Sequence, residues 1–142
     1  MASYTCLNIE ALQQDLIADE GLRLKPYRCT AGKLTIGVGR NLDDVGISKD
    51  EALVMLKNDI GRVLNDLDAH LPWWRQMSEP RQRALANMAF NMGIGRLLGF
   101  RKMIAALAAG QYDEAARQAK DSKWAEQVGT RDDDLVKMIK EG

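Results

Sequence analysis

The sequence predicts an α+β protein, mostly helical, with one small β-hairpin near its N-terminus. Three observations lead there. Apolar residues recur at threes and fours over residues 9–20 and again over 49–71. Between these stretches, two short segments flank a turn at Ala31-Gly32-Lys33, the second alternating apolar with small or polar residues. From residue 78 onward the chain is a series of helical stripes punctuated by glycines.

In the first helix, Ile9, Leu12, Leu16 and Ile17 are expected to form one buried stripe, with Gln13, Gln14 and Asp15 outside it. Gly21 fits the left-handed residue that closes a helix. Glu20 then lies among the unpaired carbonyls of the last turn. The negative end of the helix dipole disfavours a carboxylate there and is expected to raise its pKa above the ordinary value of about 4.3. An acid that protonates a leaving group near neutral pH needs such a shift. A solvated glutamate at a helix end has the same position.

Pro26 favours an extended residue before it, and Tyr27 to Cys29 and Leu34 to Val38 read as two strands. Leu34, Ile36 and Val38 alternate with Thr35, Gly37 and Gly39, so one face is apolar and the other nearly bare. A bare face leaves room for a ligand, although glycines in strands also mark bulges or close packing. A three-residue loop at 31–33 puts Cys29 opposite Thr35; a two-residue loop sends them to opposite faces.

Residues 41–46 are polar turn material, and Ser48 with Glu51 makes a capping box ahead of Leu53, Leu56, Ile60, Val63, Leu64, Leu67 and Leu71. This predicts a helix over 49–71, roughly 33 Å long and able to join two lobes. Gly61 costs it about 1 kcal/mol against alanine. Pro72 stops it. Trp73 and Trp74 read as core anchors in preference to a platform for sugar rings. Ser78 caps the next helix, with Pro80 in its first turn, a stripe of Leu85, Met88, Ala89 and Met92, and Gly93 as its end. Gly93, Gly95 and Gly99 break the following chain into short turns. Helices are expected over Lys102–Ala109, closed by Gly110, and over Asp113–Lys120. Thr130 with Asp133 reads as a cap before a last helix carrying Leu135, Val136 and Ile139. The expected organisation is one domain over residues 1–142. Its parts are a hairpin lobe at about 20–47, the linking helix, and a helical lobe at about 72–142 with the N-terminal helix nearby.

The length of 142 residues suits a core of ordinary size. With 20 basic and 20 acidic residues the formal charge is zero, which gives no basis for nucleic-acid binding or for an electrostatic hold on an anionic membrane. No stretch is apolar enough to predict a membrane span. The first residues lack a basic start followed by an apolar run, so the expectation is no secretory signal and accumulation in the cytoplasm. Cys6, Cys29 and the single histidine, His70, do not have metal-ligand spacing, and no cofactor or metal is expected. The seven methionines fall mostly on apolar helix faces, where core packing accounts for them. Both thiols are read as free. If the N-terminal helix docks against the hairpin lobe, however, Cys6 comes near Cys29 and a disulfide becomes possible.

Glu20, eight residues, Cys29, five residues and Thr35, set in EGLRLKPY and TIGVG, resemble the catalytic signature of the phage-type lysozymes, the endolysin muramidases of glycoside hydrolase family 24. The resemblance continues through NMAFNMG (87–93), Gly99-Phe100, YDEAA (112–116), SKWAEQ (122–127) and TRDDDLVKMI (130–139). It departs at Cys29, where the commonest members carry aspartate, and at Arg40, where some carry histidine.

The resemblance implies a lysozyme-like fold with a cleft between the two lobes. It implies hydrolysis of peptidoglycan glycan strands by a monomer that reaches the wall through a separate membrane lesion, such as one made by a phage holin. Glu20 is then the acid, and Cys29 and Thr35 hold and polarise the attacking water. Asn91 becomes a polar substrate contact, Gly39 part of the substrate-binding surface, and Arg131 a cation near Glu20 that opposes the helix-end effect. Two other readings stay open. A wall-binding module that has lost turnover is favoured only by the cysteine at the aspartate position. A lytic transglycosylase would close a 1,6-anhydro ring in place of adding water.

Overall fold

Helix α1 spans Ile9–Glu20. Asn8 starts it, its Oδ1 accepting from the Ala11 amide at 3.0 Å. Gly21 ends it with φ 78° and ψ 151°, a region open essentially to glycine alone and distinct from the left-handed helical well expected. In this computed structural model the described residues are 6–122, 124–125 and 130–142, without the side chains of Thr130 and Arg131. The chain divides into two compact units, residues 1–53 and 54–142.

The stripe expected on α1 is not buried: Ile9, Leu12 and Leu16 are 64%, 38% and 42% exposed. Within the first unit, Thr35 is the one buried residue among those described. That unit therefore offers no apolar layer on which a stripe can close. Helical spacing fixes which side chains share a face, and something else must cover them.

Strands β1 (Arg23–Arg28), β2 (Leu34–Gly37) and β3 (Arg40–Asn41) form an antiparallel sheet in that order. β1 begins earlier than expected and contains Pro26. It tolerates the proline because it is an edge strand whose pairing shifts between Arg23 and Tyr27. The hairpin loop is Thr30-Ala31-Gly32, closed by Cys29 N–H to Lys33 O at 2.9 Å and Gly32 N–H to Cys29 O at 2.8 Å. The loop expected at 31–33 is thus displaced by one residue. A three-residue loop needs its positive-φ residue last, and that residue is Gly32, with φ +79°. Tyr27, not Cys29, faces Thr35. Cys29, two residues on, keeps the same face as Thr35. The alternation over β2 also buries the opposite side from the apolar one, since Thr35 is 3% exposed and Val38 37%.

β3 and the loop after it replace the unstructured turn expected at 41–46. Asn41 Oδ1 accepts from the Asp44 amide at 2.9 Å, and Asp43 Oδ2 from the Leu34 amide at 2.7 Å. Arg40 donates to Gly46 O at 3.1 Å and to Glu51 Oε1 at 2.8 Å. Helix α2 (Lys49–His70) starts on the predicted capping box: the Glu51 amide donates to Ser48 Oγ at 3.1 Å and the Ser48 amide to Glu51 Oε1 at 2.9 Å.

The second unit has the apolar core. Leu67, Leu71 and Trp74 are buried, whereas Leu56 and Ile60, expected on the same stripe, are 41% and 43% exposed, as is Leu53 at 51% in the first unit. Trp74 is the core anchor expected, its Nε1–H donating to Asp68 at 2.7 Å. Four further helices, α3 (Glu79–Met92), α4 (Ile94–Leu98), α5 (Arg101–Ala108) and α6 (Tyr112–Lys120), lead to α7 (Thr130–Glu141). α4 contains Gly95 and occupies the stretch expected to be turns. Ser78 holds the cap position of α3, but its hydroxyl makes no cap bond. Gln82 instead ties the helix to the chain before it, donating to Arg75 O and Met77 O at 3.0 and 2.8 Å. α6 packs on α5 and α7, and α3 on α7. The Thr130 cap lies outside the described side chains.

Two ties close this core. Arg81 stacks on the Tyr112 ring at 3.5 Å and donates to Ile139 O and Lys140 O at 2.7 and 3.0 Å, satisfying carbonyls at the end of α7. At the other end of α7, the 1%-exposed Asp132 accepts from Lys120 Nζ at 2.9 Å. Its position in the first turn also suits a negative charge.

Arg81→Ala should lower the unfolding free energy by roughly 2 kcal/mol, the scale of hydrogen bonds from a charged donor. Arg81→Lys should recover less than half of the loss, because an ammonium lacks the planar fork. Urea denaturation measures both, and a lysine variant as stable as wild type would refute the fork. A second expectation concerns acid. Arg40 and Ser48 pull the Glu51 carboxyl from 4.5 down to about 2. A depressed carboxyl stabilises the fold above its unfolded value and loses that contribution as pH falls through the folded one. The melting-temperature gap between wild type and Glu51→Gln should therefore be full above about 4.5 and close towards about 2. A gap independent of pH would contradict this.

Candidate active site

The first unit holds four of the predicted residues, as two pairs. Glu20 ends α1, and the turn at Gly21 feeds directly into β1, whose Arg23 pairs with Gly37. That pairing lays the β2–β3 turn, Gly37-Val38-Gly39, beside the glutamate. Gly39 has φ +69°, and a Cβ built on it would lie 3.3 Å from Glu20 Oε2. Gly39, singled out as part of a substrate surface, thus adjoins the carboxylate itself. A side chain there would both strain the backbone and press on Glu20.

The second pair is Cys29 and Thr35. Cys29 is half-buried at the mouth of the hairpin loop. Its thiol is held below the usual range, first by the Lys33 amide and then by the Ala31 amide; partial burial opposes this, and the Thr35 hydroxyl and the cysteine's own amide add to it. The loop works as a small nest of N–H donors turned on one sulfur, which favours the anion. Thr35 Oγ1 donates its proton to Lys33 O at 2.9 Å. It can accept from a protonated thiol in that state, and it must rotate to donate to a thiolate. Cys6 and Cys29 are both free thiols, so the pairing weighed from the sequence is absent here.

Of the residues expected from the second unit, Asn91 is exposed at the end of α3, and its Oδ1 accepts from Trp124 Nε1 at 2.8 Å. Sequence reading missed this tie, although both residues lie in the quoted motifs. Arg131 belongs to the first turn of α7, and its side chain, with Lys123, Glu126 and Gln127 of SKWAEQ, lies outside the described residues. Arg40, flagged only as a departure, proves to be a clamp between β3 and α2. Among the described residues no group of three or more His, Cys, Asp or Glu is arranged to hold a metal ion.

The family profile described as phage lysozyme matches residues 18–138. The chain is 30% identical over 160 aligned residues to the pre-baseplate central spike protein Gp5 of Enterobacteria phage T4, covering 93% of this chain and 28% of that protein. It is 25% identical to probable T4-type lysozyme 2 of Dictyostelium discoideum, covering 94% of this chain and 96% of that one. It is 31% identical over 110 residues to an endolysin of Acyrthosiphon pisum secondary endosymbiont phage 1, covering 75% and 71%. The matched span contains Glu20, Cys29, Thr35 and Asn91 within a mostly helical fold bearing one small antiparallel sheet, and the chain belongs to the phage lysozyme family.

Proposed function

We propose that the chain is a lysozyme-type peptidoglycan hydrolase that cuts the β-1,4 bond between N-acetylmuramic acid and N-acetylglucosamine with inversion. The observation that carries this reading is that one small unit of a phage lysozyme family member holds both a helix-end glutamate, with open glycine backbone beside its carboxylate, and a donor-surrounded thiol. Glu20 donates its proton to the glycosidic oxygen as oxocarbenium character develops on the sugar. On the other face of the ring, Cys29 as thiolate accepts the proton of the attacking water, and Thr35 orients that water. Gly39 keeps the space beside Glu20 open to the sugar. The enzyme works as a monomer. Made in a host cytoplasm, it lyses the cell after a separate membrane lesion admits it to the wall.

A second setting has its own support in the 30% identity to a central spike protein. Here the same chemistry serves a particle that carries the chain. Immunodetection in purified particles separates the two settings: presence in stoichiometric amount favours the particle, and absence favours free lysis.

Glu20→Gln should abolish clearing of peptidoglycan with the fold intact, since the amide is nearly isosteric and has no acidic proton. General acid catalysis is worth roughly a hundredfold or more, so more than about a tenth of wild-type turnover would sink the assignment. For Cys29, alanine removes the proton acceptor and serine offers a hydroxyl too weakly acidic to ionise at neutral pH. Both should fall well below wild type. Wild-type activity should rise with pH as the thiol ionises, with its midpoint below the ordinary 9.0. Cys29→Asp should keep substantial activity and extend it towards about pH 4, where a carboxylate is still ionised. Alanine clearing as fast as wild type from about pH 5 to 9 would make Cys29 a packing residue.

A further inference from the structure

We infer that Arg23 and Tyr27 are positioning residues: their stack holds a bulge in β1 whose register carries Glu20 to Gly39, an inference that rests on the hydrolase reading above. β1 pairs Arg23 with Gly37 and Tyr27 with Thr35, so four steps along β1 match two along β2. Leu24, Lys25 and Pro26 therefore stand opposite Ile36 alone, and all three are exposed. The surplus chain leans into solvent, with Leu24 82% exposed. Pro26 has no N–H to give a ladder at this place.

The bulge lies between the proposed acid and the proposed base. Two residues separate Glu20 from Arg23, and one separates Tyr27 from Cys29. Continued regularly from Tyr27, the ladder would pair Lys25 with Gly37 and Arg23 with Gly39. The end of α1 would then be carried two residues, about 7 Å, past its place. A bulge re-aims the chain beside it, and here that chain carries Glu20. Directly paired residues share a face, so Arg23, Tyr27, Thr35 and Gly37 lie on one side of the sheet. The Arg23 guanidinium carbon stands 4.2 Å from the centroid of the Tyr27 ring. Residues four apart in a regular strand are separated by about 13 Å, too far for this stack; across the bulge the separation falls to the two steps of β2, about 7 Å. The stack therefore favours the bulged register over the regular one. Among the described residues Arg23 is in no ion pair, so no carboxylate competes with the ring for it.

The test measures kcat and KM on glycan strands for R23Q, R23K, Y27L, Y27F and R23Q/Y27L, and reads the register from NMR cross-strand contacts of Gly37 with Arg23 or with Lys25. A misplaced catalytic group loses up to about a hundredfold in rate, so R23Q and Y27L should each lower kcat about tenfold or more with KM unchanged. The contacts of Gly37 with Arg23 should weaken in the same two variants. Y27F keeps the ring and should stay within about twofold of wild type, and R23K, still a cation, should recover part of the R23Q loss. Because both changes break one stack, the double variant should lose no more than the worse single variant. The inference is overturned if the two losses multiply, if Y27F falls as far as Y27L, or if kcat falls while the Gly37–Arg23 contacts persist. It is equally overturned if R23Q spares kcat, and a rise in KM alone would make Arg23 a substrate contact. Wild type that cuts no strand, with the cross-strand contacts responding as expected, would instead sink the hydrolase reading and leave the stack as the holder of the register.

Discussion

The register of the first hairpin is the constraint on which the candidate site depends. Gly32 supplies the positive φ that must come last in a three-residue loop, and this fixes Cys29 against Lys33. From that single pairing follow the shared face of Cys29 and Thr35, the amide nest around the sulfur, and the pairing of Arg23 with Gly37 after one irregularity. The last of these lets the α1 terminus deliver Glu20 to Gly39. A slip of one residue would turn Cys29 to the other face and dissolve the arrangement.

The two units are held by different physics. Residues 54–142 have a core built from Leu67, Trp74, Met88, Leu135 and their neighbours. Residues 1–53 rely on the strand ladder and on polar ties: Asp43 to the Leu34 amide, Asn41 to Asp44, and Arg40 to Gly46 and Glu51. Hydrogen bonds and half-exposed ion pairs contribute modestly and individually. The proposed acid and base thus stand on a scaffold whose geometry is set by directional bonds. The proposed acid, Glu20, is exposed and the proposed base, Cys29, half-buried, so both meet the solvent that a water-consuming reaction requires.

Much of this was legible in the sequence, and the failures have physical causes. Capping chemistry and proline and glycine punctuation are local, so α1, α2 with its Ser48–Glu51 box, and the stops at Gly93 and Gly110 are found where expected. The Glu20, Cys29 and Thr35 signature could be read because its spacing is fixed by one hairpin. Centring the turn on Gly32 puts the loop a residue late, because the positive-φ glycine has to come last. The stripes of α1 and early α2 are exposed although their spacing is helical, because periodicity reports a face and is silent about its cover. The tie from Trp124 to Asn91 spans residues far apart in sequence, so no local pattern announces it. Arg40 looked like a mere substitution because its partners, Gly46 and Glu51, come from the next loop and helix.

In the proposed reaction, the nest also accounts for a thiol at a position where the family resemblance implies a carboxylate. An aspartate surrounded by the Lys33 and Ala31 amides would be stabilised further as an anion, below an ordinary value of about 3.9. It would be ionised at every relevant pH, an acceptor available well into the acid range but a weaker base than a thiolate. A free cysteine has the reverse problem, being basic enough but mostly protonated near neutrality. The same donors that would weaken an aspartate as a base bring the cysteine down from 9.0 towards the pH at which the enzyme works. Proton acceptors are most effective when their pKa lies near the operating pH. The hairpin loop therefore suits the residue it carries, and the geometry that sets the register also tunes the sulfur.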